Sequence, residues 1–394
     1  MAQWFMTSFP SPDYAGGSLV NLMSSLRGAL AAPLTDYPEA GLLPAAELRP
    51  ARRVVLLLVD GLGYEFLLQQ SPDSVLRRHL RGRLDSVFPT TTAAAITTLT
   101  TGLAPQQHAI TGWFMWLREF GIVTSILPFR SRAGGLDLAA AGLKVESILG
   151  APSLFAAMHK TAAVLSPARI VDSAYSQATT APALRFGYQT QHEFFARLTG
   201  LVTAADGPEF IYAYWPDFDS LAHHKGVSGV EAQQHFAALD CAVGAFLEGI
   251  AGTDTCVVIT ADHGFIDTGP EHYVQLAEHP DLAACLRLPL CGEPRAAYCY
   301  VRPDHTNAFE RYVAEVLGPY CECMASAELI ERGFFGLGAA HPELAARSGD
   351  YVLLLKGQHV IKDYVAGEKP FYFAGVHGGL STAELHIPLV VAHV

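Results

Sequence analysis

The sequence predicts an α/β fold with a mainly parallel central sheet and a small α+β insertion. Short apolar segments alternate with longer segments whose apolar residues have helical spacing, which is the order of a doubly wound α/β layer. Several short segments are apolar throughout, as in strands that helices cover on both faces. Half of the 394 residues are hydrophobic and 16% are charged, so the composition can fill a large core.

The elements can be placed in chain order. Apolar, β-rich runs predict strands at Arg53–Asp60, Gly121–Phe129, Thr161–Ser166, Glu209–Trp215 and Thr255–Asp262. Helical spacing predicts helices at Leu19–Ala31, Ala93–Thr101, Gln191–Ala204 and Val230–Ala251. Between residues 269 and 349, two strand-like segments alternate with two helix-like segments, and we assign this range to a cap-like α+β insertion. Residues 1–268 and 350–394 then form the α/β core.

Charge and apolar patterning limit the partners that we expect. The net charge of -12 disfavours nucleic acid polymers and anionic membranes, although a bound metal could still attract a small anionic substrate. No apolar run approaches the ~20 residues that cross a bilayer, and the first residues lack the basic and apolar regions of a signal peptide. The seven cysteines show no disulfide framework. We therefore expect a cytoplasmic protein that acts on a small molecule.

Acidic and imidazole groups follow two of the predicted strands. Asp60 ends the first strand in "VDGLG", where the glycines permit a tight turn and close approach of a ligand. Capping of the next helix is the alternative role for this carboxylate. Asp262 and His263 come directly after an apolar strand in "ADHG", a position that core packing explains poorly. Ligands of α/β proteins gather at such strand ends.

Two further segments carry the same kinds of side chain. Asp219 and His223 in "PDFDSLAHHKG" are four residues apart, so a helical turn places them on one face. They could chelate a divalent cation or form an ordinary surface pair. His377 lies between glycines in "GVHGGL", where its neighbours offer little packing. Three aspartates and three histidines of this kind suit two divalent ions, with zinc favoured and manganese or iron compatible.

A cluster of threonines precedes a helix-forming segment. In "SVFPTTTAAAITTLTTGLAP", five threonines fall between Thr90 and Thr98. One interpretation is helix capping with threonines tolerated on the helix. The other is that one hydroxyl is a nucleophile, which an adjacent metal ion would activate.

Five motifs occur in a characteristic order: "VDGLG", "FPTTTAAAITTLTTGLAPQQHAITG", "PDFDSLAHHKG", "ADHG" and "GVHGG". In this the chain resembles the type I phosphodiesterase/nucleotide pyrophosphatase family of the alkaline phosphatase superfamily. The resemblance implies an alkaline-phosphatase-like three-layer α/β/α sandwich. It also implies seven metal ligands in two sets, with Asp60, Asp262, His263 and the nucleophile Thr92 in one, and Asp219, His223 and His377 in the other.

The family pattern also implies a reaction. Counting from Phe88-Pro89 and back from Gly102 selects Thr92 as the nucleophile, with Thr90 and Thr91 as the alternatives. Thr92 would attack phosphorus, and water would then release the phosphoryl group. The expected activity is that of a phosphodiesterase or nucleotide pyrophosphatase. A phosphomonoesterase or phosphonate hydrolase on the same site is the first alternative, and a metal-binding module without turnover is the second.

One position departs from the family pattern. Nucleotide pyrophosphatases usually carry an asparagine that holds a phosphate oxygen, and Trp113 occupies the corresponding position here. The difference leaves metal-dependent phosphoryl transfer intact and puts nucleotide specificity in question. Trp113 and Phe114 are predicted to line an apolar pocket for the leaving group, with core packing as the alternative.

Overall fold

The computed structural model describes residues 8–394; the first seven residues, part of the segment that predicts no signal peptide, lie outside the described part of the chain. Its strands are β1 (Arg53–Val59), β2 (Leu80–Asp85), β3 (Phe114–Leu117), β4 (Ile122–Ser125), β5 (Arg130–Ser131), β6 (Ala162–Pro167), β7 (Leu184–Tyr188), β8 (Phe210–Trp215), β9 (Thr255–Thr260), β10 (Ile266–Asp267), β11 (Tyr273–Gln275), β12 (Cys291–Glu293), β13 (Ala296–Cys299), β14 (Cys321–Ala325), β15 (Tyr351–Leu355), β16 (Val360–Lys362), β17 (Gly375–Val376) and β18 (His386–His393).

The α-helices are α1 (Leu19–Ala29), α2 (Ala45–Leu48), α3 (Tyr64–Leu68), α4 (Val75–Arg78), α5 (Thr92–Thr101), α6 (Pro105–His108), α7 (Leu154–Ala157), α8 (Ala174–Thr180), α9 (Gln191–Thr203), α10 (Asp217–Lys225), α11 (Val230–Gly249), α12 (Pro280–Cys285), α13 (Thr306–Tyr312), α14 (Ser326–Glu331), α15 (Leu344–Arg347) and α16 (Thr382–Leu385). All four helices predicted from spacing are confirmed. Local capping explains two of their ends: Thr190 accepts the Glu193 N–H at the start of α9, and Gly102 ends α5 with φ of 72°.

The main sheet has seven strands in the order β2-β18-β9-β1-β8-β6-β7. The pairs of β1 with β8 and β9, and of β6 with β7 and β8, are parallel, whereas β18 pairs antiparallel with β2 and β9. All seven residues of β1 are buried, because side chains of α1, α9 and α11 share one hydrophobic cluster with this sheet. The predicted α/β class with a mainly parallel central sheet is confirmed.

A second sheet of seven strands has the order β14-β15-β13-β12-β3-β4-β5. The prediction that Gly121–Phe129 forms a strand of the parallel sheet is wrong, because β4 pairs antiparallel with β3 and β5 in this second sheet. Three of the four β4 residues are only half-buried, unlike those of β1. An apolar run alone did not distinguish a fully buried strand of the parallel sheet from a half-buried strand of the antiparallel sheet.

The second sheet extends on both sides of the predicted insertion. It takes strands from residues 114–131 and 351–355 in addition to those between 291 and 325. The two strands and two helices predicted within 269–349 are present as β13, β14, α13 and α14. The division of the chain into core and insertion itself stays a prediction.

No helix within residues 8–394 is both long and apolar enough to span a membrane.

Candidate active site

Five of the seven predicted metal ligands follow three adjacent strands of the main sheet. Asp60 comes directly after β1, Asp262 and His263 come after β9, and α10 places Asp219 and His223 after β8. Because β1 lies between β8 and β9 and runs parallel to both, the three strands end at the same edge of the sheet. Side chains far apart in the sequence therefore meet at the carboxyl edge, where α/β folds bind ligands.

One group of side chains surrounds the Nε2 atom of His263. The Oδ1 atom of Asp60 lies 3.5 Å from it and the Oδ2 atom of Asp262 lies 3.4 Å from it. The Thr92 hydroxyl, in the first residue of α5, is 3.2 Å from the same nitrogen. All four side chains are buried. The structure thus brings together the set that the sequence predicts for one metal ion.

A second group adjoins the first. The Oδ1 atom of Asp219 lies 3.5 Å from Nε2 of His223 and 3.8 Å from Nε2 of His377. The rings of His263 and His377 stack with centroids 3.7 Å apart, so the two groups share one pocket. Potential ligand atoms of Asp219, His263 and His377 lie within 4.8 Å of one another, as do those of Asp60, Asp262 and His263. By distance His263 adjoins both groups, whereas the sequence prediction gives it to one.

The three histidines are held in the same way. Their Nδ1 atoms donate hydrogen bonds to main-chain carbonyls: His223 to Gly375 at 2.9 Å, His263 to Gly264 at 3.1 Å and His377 to Thr90 at 3.0 Å. Each Nε2 atom is then unprotonated and directs its lone pair toward the aspartates. Burial lowers the pKa of His223 to about 4 and of His263 to about 3, and it lowers the pKa of His377 well below its usual value. Neutral imidazoles of this kind are metal ligands.

The three aspartates leave oxygens without partners. Among the described residues, Oδ1 of Asp60, Oδ1 of Asp219 and Oδ2 of Asp262 are buried and accept no hydrogen bond. Burial raises the pKa of all three, and repulsion from Asp262 adds to it for Asp60 and Asp219; the pKa of Asp262 is about 6. Unpaired buried carboxylates are costly, and a bound cation removes that cost. The site therefore fits divalent metal ions.

The other carboxylate oxygens of Asp60 and Asp262 are fixed by neighbours. The Tyr214 hydroxyl donates to Oδ2 of Asp60 at 2.5 Å, and the N–H groups of Gly61 and His263 donate to Oδ1 of Asp262 at 3.0 Å. These bonds turn the unpaired oxygens of Asp60 and Asp262 toward the site. Supporting contacts of this kind set the orientation of metal ligands.

The three consecutive threonines have different partners. The Thr90 hydroxyl donates to the Gly379 carbonyl at 2.8 Å and accepts the Gly378 N–H at 3.2 Å, which ties it to the loop of His377. The Thr91 hydroxyl is hydrogen-bonded to Glu293. Thr92 is the one of the three whose hydroxyl reaches His263.

A model of the type I phosphodiesterase/nucleotide pyrophosphatase family matches residues 54–378. The chain belongs to this family. The family consists of metal-dependent hydrolases that act on phosphoric ester bonds and is part of the alkaline phosphatase superfamily. The matched residues include the whole candidate site, from Asp60 to His377.

Solved structures share the fold. Human ectonucleotide pyrophosphatase/phosphodiesterase 5 is 16% identical, with a TM-score of 0.64, and the match covers 86% of this chain and 87% of that chain. An inactive variant of the murine protein in complex with AMP is 15% identical, with a TM-score of 0.61 and the same coverage. Phosphonoacetate hydrolase from Sinorhizobium meliloti 1021, in complex with phosphonoacetate, is 17% identical, with a TM-score of 0.63 over 87% of this chain and 90% of that one. No curated protein matches the chain significantly.

In this member of the family, a cavity of about 400 Å³ opens beside the aspartate–histidine groups. Thr92, Asp219, His223 and His377 are part of its wall, so the cavity reaches the candidate nucleophile. Its aromatic wall consists of Trp113, Phe114, Tyr364, Phe371 and Phe373. Trp113 and Phe114 lie in the lining, as the sequence predicts; their contact with a substrate stays a prediction.

Sequence reasoning missed Glu293, a buried carboxylic acid in the same cavity. Its Oε1 atom accepts the N–H of Trp113 at 2.6 Å. Burial raises its pKa to about 7, against the opposing effects of hydrogen bonds from Thr91 and Trp113 and of the charge of Lys362. The only local signal was an acid within the short β12 segment "CGE", and nothing in that segment indicates that it faces residue 113.

Glycine at position 378 allows this acid to lie against the His377 loop. Gly378 has φ of 115°, and a Cβ atom there would lie 2.5 Å from Cβ of Glu293. A side chain at this position would be strained and would collide. The loop is further held by Glu384, which accepts the Gly379 N–H at 2.8 Å and forms a fully buried pair with Arg295 at 2.9 Å.

Proposed function

We propose that the protein hydrolyses phosphoric diesters or pyrophosphates through a covalent phospho-threonine intermediate on Thr92, with two divalent metal ions bound beside it. One observation carries this proposal: the unpaired oxygens of three aspartates and the Nε2 atoms of three neutral histidines lie in one pocket, and the Thr92 hydroxyl is 3.2 Å from Nε2 of His263. A metal-binding module without turnover would not require a threonine hydroxyl at this position.

The proposed ligands are those of the two predicted sets, with Asp60, Asp262, His263 and Thr92 in one set and Asp219, His223 and His377 in the other. Bound divalent ions would lower the pKa of the threonine hydroxyl and offset negative charge on the phosphoryl oxygens. Mixed carboxylate and imidazole ligands favour zinc, with manganese or iron as alternatives.

The chain's own groups account for the rest of the reaction. The deprotonated Thr92 oxygen forms a bond to phosphorus as the bond to the leaving oxygen breaks, and water then cleaves the bond between Thr92 and phosphorus. Because Thr92 begins the ten-residue α5, the unpaired N–H groups at the start of that helix would face the oxygens of a phosphoryl group on Thr92. The main-chain bonds of the three histidines keep their ring positions fixed through both displacements.

Phosphonate hydrolysis is the second candidate. Trp113 stands where an asparagine would hold a phosphate oxygen, and a structural neighbour binds phosphonoacetate, whereas another binds AMP. A substrate panel separates these activities. We would assay the zinc-loaded and manganese-loaded protein on bis-p-nitrophenyl phosphate, p-nitrophenyl phosphate and phosphonoacetate, and expect the diester to give the highest kcat/KM.

Substitutions test the nucleophile. Thr92→Ala should lower kcat by about 10³-fold or more, because the covalent step is lost. Thr100→Ala, on the same helix and bonded only to main-chain carbonyls of Ile96 and Thr97, is the matched control and should retain activity. Loss of activity in Thr91→Ala with full activity in Thr92→Ala would contradict the assignment. Absence of turnover on every substrate with metal bound would favour the binding module.

A further inference from the structure

The cavity contains a cation for which the proposed reaction has no use. Lys362, the last residue of β16, is half-buried in the cavity lining. Its ammonium group lies 3.9 Å from the ring centroid of Phe371 and 4.9 Å from that of Phe373. The Phe373 ring is in turn 4.4 Å from the ring of His223. One aromatic ring therefore separates this ammonium from a predicted metal ligand.

Within residues 8–394, the Lys362 ammonium makes no hydrogen bond and no ion pair. The acids near it are held elsewhere: Asp363 accepts from Arg132 at 2.8 Å, Glu368 accepts from Arg132 at 3.0 Å, and Glu293 accepts from the Trp113 N–H. Burial lowers the pKa of Lys362 to about 8, which leaves it mainly protonated at neutral pH. An ammonium carries three donors, and these remain free to face the cavity.

Arg132, the other cation of the lining, is fully engaged. Its guanidinium group donates to Asp363, to Glu368 and to the Leu290 carbonyl, and it stacks 4.2 Å above the ring of Phe114. Its charge is thus balanced by two carboxylates. A second anion in the cavity would find free hydrogen-bond donors on Lys362 and not on Arg132.

We propose that Lys362 binds an anionic group, a carboxylate or a phosphate, on the leaving portion of the substrate. This rests on the proposed function, since the metal site would hold the scissile phosphoryl group while Lys362 holds the far end. The preferred substrates are then small phosphoric esters or phosphonates with a second negative charge one ring's width beyond the bond that breaks. A charge-assisted hydrogen bond explains selection of such substrates.

The test uses three matched aryl phosphates: phenyl phosphate, 3-carboxyphenyl phosphate and 3-phosphonophenyl phosphate. Lys362→Met should raise KM for one or both charged esters by about 10- to 100-fold more than KM for phenyl phosphate. Lys362→Arg should restore part of the preference. Lys369→Met removes the same charge from an exposed position of the same segment and is the control that should change none of the three KM values. The two charged esters distinguish a carboxylate from a phosphate as the group that is recognised.

Binding gives a readout that does not require turnover. Titration calorimetry with zinc-loaded Thr92→Ala protein should show the charged esters binding more tightly than phenyl phosphate, and Lys362→Met in that background should remove the difference. The role of Lys362 would be overturned by two results together, even if hydrolysis is observed. The first is that the ratio of KM for each charged ester to KM for phenyl phosphate is the same in wild type and Lys362→Met. The second is that the three esters bind equally tightly to the zinc-loaded Thr92→Ala protein. A binding difference that depends on Lys362, without turnover by the wild type, would support the anion site and overturn the proposed function.

Discussion

Replacing Glu293 by glutamine should stabilise the metal-free protein at alkaline pH. The acid is buried between the Thr91 hydroxyl and the Trp113 N–H, and its pKa is about 7 instead of the ordinary 4.5. One pKa unit corresponds to about 1.4 kcal/mol, so ionised Glu293 destabilises the folded state by about 3 kcal/mol. Glutamine fills nearly the same space and can still accept the Trp113 hydrogen bond, but it carries no charge.

The sign of the pH dependence follows from proton binding. Below about pH 4.5 the acid is protonated in both the folded and the unfolded chain, and it costs no stability. Between about pH 4.5 and pH 7 the unfolded chain releases this proton while the folded chain keeps it, so the free energy of unfolding falls as pH rises. Above about pH 7 the full cost is present. The glutamine variant lacks this decline. Titrating groups that do not feel the charge of Glu293 cancel in the comparison, whereas Asp219 and Lys362, whose pKa values that charge raises, do not.

Urea unfolding of the chelator-treated proteins measures the effect. The difference in unfolding free energy between Glu293→Gln and wild type should shift by about 3 kcal/mol in favour of the variant between about pH 4.5 and pH 8. Glu248→Gln, at an exposed position of α11, is the control and should show no such shift. A difference between Glu293→Gln and wild type that stays constant with pH would refute the reasoning.

Three further predictions concern two residues that hold the site in place and the binding of zinc to it. Tyr214→Phe removes the hydrogen bond to Asp60 and should weaken zinc binding by about 10- to 100-fold in equilibrium dialysis, with little change in fold by circular dichroism. Glu384→Gln leaves the buried guanidinium of Arg295 without its counter-charge and should lower the unfolding free energy by about 3–5 kcal/mol, whereas Glu328→Gln in an exposed pair should cost less than about 1 kcal/mol. Zinc added to the metal-free protein at about 100 times its Kd should raise the free energy of unfolding by about 3 kcal/mol. An unchanged free energy of unfolding would contradict the assignment of a metal site.

The pattern of buried strands predicted most of the central sheet. Four of the five predicted strands lie in the seven-stranded main sheet, because a segment covered on both faces must be apolar at every position. The fifth, Gly121–Phe129, belongs to the antiparallel sheet. A short apolar run fits either environment, and only its pairing partners decide between them.

The predicted ligands were found close together for a similar reason. Polar residues directly after buried strands have few structural roles, and parallel neighbours bring strand ends to one edge. The separate hydrogen bonds of Thr90, Thr91 and Thr92 were not predictable, because their partners are about 170 to 290 residues away in the chain. The assignment of Thr92 as the nucleophile, which was made by counting along the motif, stays a prediction. The geometry adds that Thr92 is the one of the three threonines whose hydroxyl lies next to His263.

The sequence by itself determined the fold class, the family and the positions at which carboxylates and imidazoles meet, because those follow from local periodicity and from the order of short motifs. Tertiary structure alone revealed two further charged groups that face the cavity, Glu293 of β12 and Lys362 of β16. Neither residue has a local signature, since the burial of an acid and the lack of a partner for an ammonium depend on what distant segments place around them.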